Sequence, residues 1–98
     1  MTHVIAILED SPHVRDYFVE IITSADELSI GGIATTLSEA DVLVEQKPDL
    51  VLTDLGLPDG SGLTVIPRLQ KAGILSLVIT ALGDQETIVS ALAAGANG

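Results

Sequence analysis

Four short apolar runs, each followed by a segment with helical patterning, set the tightest limit on what this chain can fold into. They are Val4–Leu8 (VIAIL), Leu28–Ala34 (LSIGGIA), Leu50–Thr53 (LVLT) and Leu75–Thr80 (LSLVIT). Continuous hydrophobicity, as opposed to strict alternation, is what a strand covered on both faces requires. Strand and helix alternating four times give a parallel sheet with right-handed crossovers and helices on both faces, an α/β doubly wound architecture. In such sheets ligands bind at the carboxyl ends of the strands, where the strand order switches.

The segments between the runs carry their own punctuation. Ser11-Pro12 supplies a helix cap and a proline at the first helical position. Val14, Tyr17, Phe18, Ile21 and Ile22 then recur at helical spacing, which predicts an amphipathic helix. A second helix, capped by Ser38 or the threonines before it, extends to Gln46 with Ala40, Leu43 and Val44 inward, and Pro48 stops it. Gly56–Gly62 (GLPDGSG) has the composition of a loop. The third helix spans Leu63 to Lys71 and contains Pro67, which must bend it or shift its start. After a loop at Leu82–Asp84, the fourth helix covers Thr87–Ala94 and ends at Gly95.

Ninety-eight residues hold at most one small domain, and a 47% hydrophobic content suffices for a single core. Tyr17 and Phe18 are the only aromatics, so that core is packed from Val, Ile, Leu and Ala. Fourteen acids against four bases leave a formal charge of −10. Arg15, Lys47, Arg68 and Lys71 are too scattered to neutralise a run of phosphates, which argues against direct nucleic-acid binding by this segment. Such a chain is better suited to a divalent cation or a basic partner surface. Cysteine is absent, which rules out disulfides and thiolate metal sites. No apolar run approaches the roughly 18 residues of a membrane span, and no basic, signal-like segment opens the chain. The expected location is cytoplasmic.

The acids fall where the chemistry of such a sheet would be. Glu9 and Asp10 end the first run, Asp54 ends the third, and Thr80 closes the fourth. Taken singly, each acid reads equally well as a solvated strand end or a turn former. In the strand order 2-1-3-4, however, the first and third strands are neighbours and the three carboxylates converge with the Thr80 hydroxyl beside them. Carboxylates that close repel one another unless a cation sits among them, and hard oxygen donors suit Mg²⁺. An aspartate facing such an ion can attack a phosphoryl donor and form an acyl phosphate, with a neighbouring hydroxyl bonding a phosphoryl oxygen.

The segments LEDSP, LVLTDLGLPDGSGL, LVITA and ALAAGANG resemble the response-regulator receiver family over the whole chain. The acidic pair stands 44–45 residues before Asp54, and Thr80-Ala81 begins 26 residues after it. The resemblance implies a flavodoxin-like fold whose fifth strand and fifth helix would lie past Gly98, with residues 1–98 a truncated receiver. It implies Asp54 as phosphoacceptor, and Glu9, Asp10, Asp54 and the Gly56 backbone carbonyl as ligands of Mg²⁺. Thr80 would be the switch hydroxyl and Ala81 a neighbour of the phosphoryl group. A histidine kinase would be the donor and a C-terminal output domain, of helix-turn-helix type, the listener. The protein would not be an enzyme, since it turns over no separate substrate.

The family also has a lysine and an aromatic switch residue that would fall beyond Gly98. Lys47 and Lys71 cannot replace that lysine, because each is expected in a loop at the amino-terminal end of the sheet. Loss of a fifth strand would leave the fourth as an open edge and bare apolar surface, so this segment is expected to self-associate. His3 and His13 read as surface groups, and Ser11 as a cap. A haloacid-dehalogenase-type phosphatase would need a second aspartate where Gly56 stands, and a dinucleotide site would need glycines in place of LEDSP. The remaining alternative is a receiver-like interaction module that is not phosphorylated.

Overall fold

The computed structural model describes residues 2–80 and 84–98. Its elements are β1 (His3–Leu8), α1 (Pro12–Ser24), β2 (Leu28–Ala34), α2 (Leu37–Gln46), β3 (Leu50–Thr53), β4 (Gly56–Leu57), β5 (Gly60–Ser61), α3 (Ile66–Lys71), β6 (Leu75–Val78) and α4 (Gln85–Ala94). Among the described residues the main sheet is four parallel strands in the order β2-β1-β3-β6, which is the predicted doubly wound order. Because the chain passes from β1 to β2 on one side and then crosses back to β3 on the other, the carboxyl ends of β1 and β3 form the switch point.

Alternation along each strand sends its residues to two cores. Ala6, Leu8 and Val51 point to one face and meet Ala40 and Leu43 of α2 and Leu69 of α3. Ile5, Ile7 and Leu52 point to the other and meet Ile22 of α1, with Phe18 and Val19 partly buried beside it. Full burial of side chains such as Ile7, Leu8, Ile66 and Leu69 stabilises the fold by about 1.5–3 kcal/mol each. Leu55, Ile66 and Ala91 tie α4 to this framework in a third cluster.

Several expectations need correcting. The GLPDGSG segment is a short antiparallel hairpin, β4 on β5, with Gly56 opposite Ser61 and Leu57 opposite Gly60. Pro67 does not sit inside a helix from Leu63: a 3-10 turn covers Gly62–Thr64, and α3 begins at Ile66 with Pro67 in its first turn, where a missing N–H costs nothing. Lys71 is the last residue of α3, not part of a loop, and Lys47 closes α2 in the left-handed conformation (φ 51°). Both precede strands, so both stay at the amino-terminal end of the sheet. Strand β6 stops at Val78, two residues earlier than expected. Asp84 caps α4 by accepting from the Thr87 N–H at 2.7 Å, so that helix starts at Gln85.

The face of α1 is narrower than its pattern suggests. Ile22 is buried, but Val14, Tyr17 and Ile21 are 38%, 61% and 44% exposed. The edge of β6 is not open either. Its outward backbone groups at Ser76 and Val78 are engaged by Asn97 and Gly98: Asn97 N–H donates to the Ser76 carbonyl at 2.9 Å, and Val78 N–H to the Gly98 carbonyl at 2.8 Å. The Asn97 side-chain oxygen accepts from Ser76 N–H at 3.0 Å.

Candidate functional site

The site is assembled by three parallel strand ends. The ladder pairs Leu8 with Thr53, so the residues that follow, Glu9 and Asp54, leave the sheet side by side. Backbone bonds hold both: Asp54 N–H donates to the Leu8 carbonyl at 2.9 Å and Glu9 N–H to the Ala34 carbonyl at 3.0 Å. Glu9, Asp10 and Asp54 each present a carboxylate oxygen, and these oxygens lie within 4.8 Å of one another. Glu9 and Asp54 are buried, at 4% and 8% exposure.

Around them is an open cleft of about 540 Å³, lined by Glu9, Ser11, Val14, Asp54, Gly56, Ile79 and Thr80. The cleft therefore brings Thr80 and Gly56 to the carboxylates, as the strand ends implied. Ala81 lies outside the described residues. Ser11 stands at the cap position of α1, yet its side chain makes no capping bond; its N–H instead donates to Glu9 Oε1 at 3.2 Å. Gly56 N–H donates to Asp54 Oδ1 at 3.3 Å, which restrains the carboxylate's rotamer.

The electrostatics of the cluster are those of acids crowded together. Burial, then the hydrogen bond that a protonated Glu9 donates to Asp54, and then the Asp54 charge push the Glu9 carboxyl up to about 7, against an opposing pull from the Ser11 N–H. Among the described residues, the groups that act most on Glu9 are Asp54, Ser11 and Asp10, none of them basic. The ion pair formed by Arg68 with Asp41 is on the surface between α3 and α2, and exposed pairs of that kind stabilise little. Three converging carboxylates, two of them buried, are a donor set that fits a hard divalent cation.

Sequence reasoning missed the contacts of one acid in the hairpin that follows Asp54. Asp59, at the tip of the β4–β5 hairpin, accepts from Leu37 N–H at 2.8 Å and from Ser38 N–H and Oγ–H at 3.2 Å each. The Pro58-Asp59-Gly60 composition marks a turn, but nothing local shows that its carboxylate reaches a helix 21–22 residues earlier. These bonds hold Asp59 below the usual carboxylate range.

The doubly wound sheet with a carboxylate cluster at its switch point defines an α/β domain with a candidate cation site, and comparison with known proteins makes the family definite. The chain belongs to the response regulator receiver domain family, whose model matches residues 5–98. It is 39% identical over 93 residues to the response regulator protein PilR of Pseudomonas aeruginosa, covering 92% of this chain and 20% of PilR. It is 37% identical over 95 residues to the transcriptional regulatory protein YhcZ of Bacillus subtilis, covering 94% of this chain and 44% of YhcZ. It superposes with a TM-score of 0.89 on a LuxR-family two-component response regulator from Aurantimonas sp., at 26% identity, covering 100% of this chain and 72% of that one. The chain thus spans less than half the length of either curated relative. Among the described residues no helix is long and apolar enough to cross a membrane.

Proposed function

We propose that this receiver is a phosphoacceptor switch of a two-component system, with Asp54 the residue that takes the phosphoryl group. The observation that carries the reading is the convergence of Glu9, Asp10 and Asp54, with carboxylate oxygens within 4.8 Å at the switch point of the sheet. Glu9, Asp10, Asp54 and the Gly56 carbonyl would hold Mg²⁺ there, and the bound ion would supply charge neutralisation between the acids and an incoming phosphoryl group. Asp54 then acts as nucleophile: a carboxylate oxygen attacks phosphorus as the bond from phosphorus to the donor's imidazole nitrogen breaks. The phosphoryl group moves to the aspartate and the donor histidine is released. Thr80, on the same cleft, would hydrogen-bond a phosphoryl oxygen, with Ala81 beside it in sequence.

The donor in this reading is a histidine kinase, and the listener is an output domain beyond residue 98, of DNA-binding type; the relative YhcZ is named a transcriptional regulatory protein. Drawing Thr80 toward the new charge would shift a two-state equilibrium of the loop that follows it, changing which partner binds. The receiver turns over no separate substrate, so its role is that of a switch and not of an enzyme, and its place is the cytoplasm.

Acetyl phosphate with Mg²⁺ tests this directly on the protein that carries this chain. Intact-mass measurement is expected to show one added phosphoryl group, lost in Asp54→Ala and lost when Mg²⁺ is chelated. An unmodified wild-type protein would instead support an interaction module that is not phosphorylated.

A further inference from the structure

We propose that Asp59 is a positioning residue for the metal-binding loop, fixing the Gly56 carbonyl by tying the hairpin tip to the first turn of α2. The inference rests on the reading of Gly56 as a metal ligand.

A hairpin of two residues per strand is not stable on its own. β4–β5 is therefore held from outside, at both ends. At its base, Gly62 N–H donates to the Leu55 carbonyl at 2.9 Å, and a Cβ on Gly62 would stand 2.0 Å from the Asp54 carbonyl oxygen. Only glycine permits that approach. At its tip, Asp59 accepts from the first two backbone N–H groups of α2, those of Leu37 and Ser38, and from the Ser38 hydroxyl. A helix start leaves such donors unpaired and carries a positive partial charge, so a carboxylate there is bound by both effects. Gly60, at φ +147°, brings its backbone so close to Leu37 that a Cβ would meet that side chain at 2.8 Å.

The helix to which the tip is tied is itself anchored. Thr36 accepts from Glu39 N–H at 3.2 Å, and Glu39 accepts in return from Thr35 N–H and hydroxyl at 3.1 and 2.7 Å. The strand before it ends at Ala34, whose carbonyl holds Glu9 N–H. A continuous path of bonds therefore runs from Glu9 through the start of α2 to Asp59 and back along the hairpin to Gly56. Asp59 touches neither the acids nor the cleft, so its effect is on where the carbonyl sits.

Mg²⁺ titration of the full chain by calorimetry, with amide exchange at Leu37 and Ser38, tests the assignment. Asp59→Ala is expected to weaken Mg²⁺ about tenfold, as loss of a supporting partner behind a metal ligand does. Exchange at the two amides should accelerate. Asp59→Asn keeps an acceptor oxygen and is expected to bind within about threefold of wild type, whereas Asp59→Glu keeps the charge, displaces the tip and should bind as weakly as the alanine variant. An Asp59→Ala chain with wild-type affinity and fast amides overturns the proposal. So does the opposite ranking, Asn weak and Glu unaffected, which would mean a distant charge effect. If Asp59→Ala does not fold, the Asn and Glu pair decides alone. A wild-type chain that binds Mg²⁺ no better than Asp54→Asn has a different pattern: the metal-site reading itself fails, and this inference with it.

Discussion

Burial and the neighbouring Asp54 push the Glu9 carboxyl up to about 7. The folded chain therefore binds this proton more tightly than the unfolded one, whose value is the ordinary 4.5. The stabilisation is fully present below about pH 4.5 and is lost as pH rises through about 7. Glu39, Asp59 and Asp84 are shifted the other way, by backbone and hydroxyl donors, so their contributions vanish only as pH falls below the carboxylate range. Of these four carboxyls, only Glu9 titrates between pH 5 and 8. With a chelator present, the melting temperature is expected to fall across that interval. Glu9→Gln, a neutral mimic of the protonated acid, should flatten the profile and melt higher than wild type at pH 8. A wild-type profile that rises from pH 5 to 8 would contradict the cause assigned to the shift. At this scale the acids were legible because each directly follows an apolar run. Their protonation was not, since it depends on how deeply a strand end is buried. Nor was the role of Asp59, whose partners are distant in sequence.

At the scale of elements, apolar runs marked three of the four main strands within a residue at each end, and side-chain caps at Thr36 and Asp84 explain the starts of α2 and α4. The exceptions have physical causes. Pro67 fits a first turn better than an interior, so α3 starts late and a 3-10 turn fills the gap. Loop composition at Gly56–Gly62 concealed a hairpin, because glycines that signal a loop also permit close backbone packing. Two glycines, one in the hairpin and one at its base, make the distinction measurable. A Cβ at Gly62 would collide with the Asp54 carbonyl and the Leu55 Cα, which are backbone atoms and cannot step aside. A Cβ at Gly56 would meet nothing within 4 Å. Gly62→Ala is therefore expected to destabilise the chain by about 3 kcal/mol, the upper range for overpacking. Gly56→Ala should stay within about 1 kcal/mol of wild type. Urea denaturation followed by far-ultraviolet circular dichroism reads both. Equal losses would show that the hairpin relaxes freely and that its base is not fixed against Asp54.

Seen whole, the molecule is unevenly covered. One sheet face carries α2 and α3, while among the described residues α1 alone contributes a helix to the core on the other. On that second face Leu75 and Leu77 of β6 are 50% and 40% exposed, and Val14, Tyr17 and Ile21 of α1 add to the apolar surface. The sequence showed the apolar residues but not which would lack a partner, since periodicity identifies a face and not what lies against it. It also suggested that an open strand edge would drive association, whereas Asn97 and Gly98 already occupy the outward groups of β6. The remaining drive is burial of side chains, at roughly 25 cal/mol per Å² of apolar area removed from water. We therefore expect the 98-residue chain to self-associate through this face, one copy's β6 and α1 residues meeting those of a second. The high negative charge opposes close approach, so association should strengthen with added salt, the reverse of what an ion-paired interface would do. Light scattering across a concentration series, with and without salt, separates the possibilities. Leu75→Lys with Leu77→Lys should return a monomer that keeps the wild-type circular dichroism spectrum. A wild-type chain that stays monomeric at high concentration and high salt would mean that the exposed leucines and α1 residues do not act as an interface.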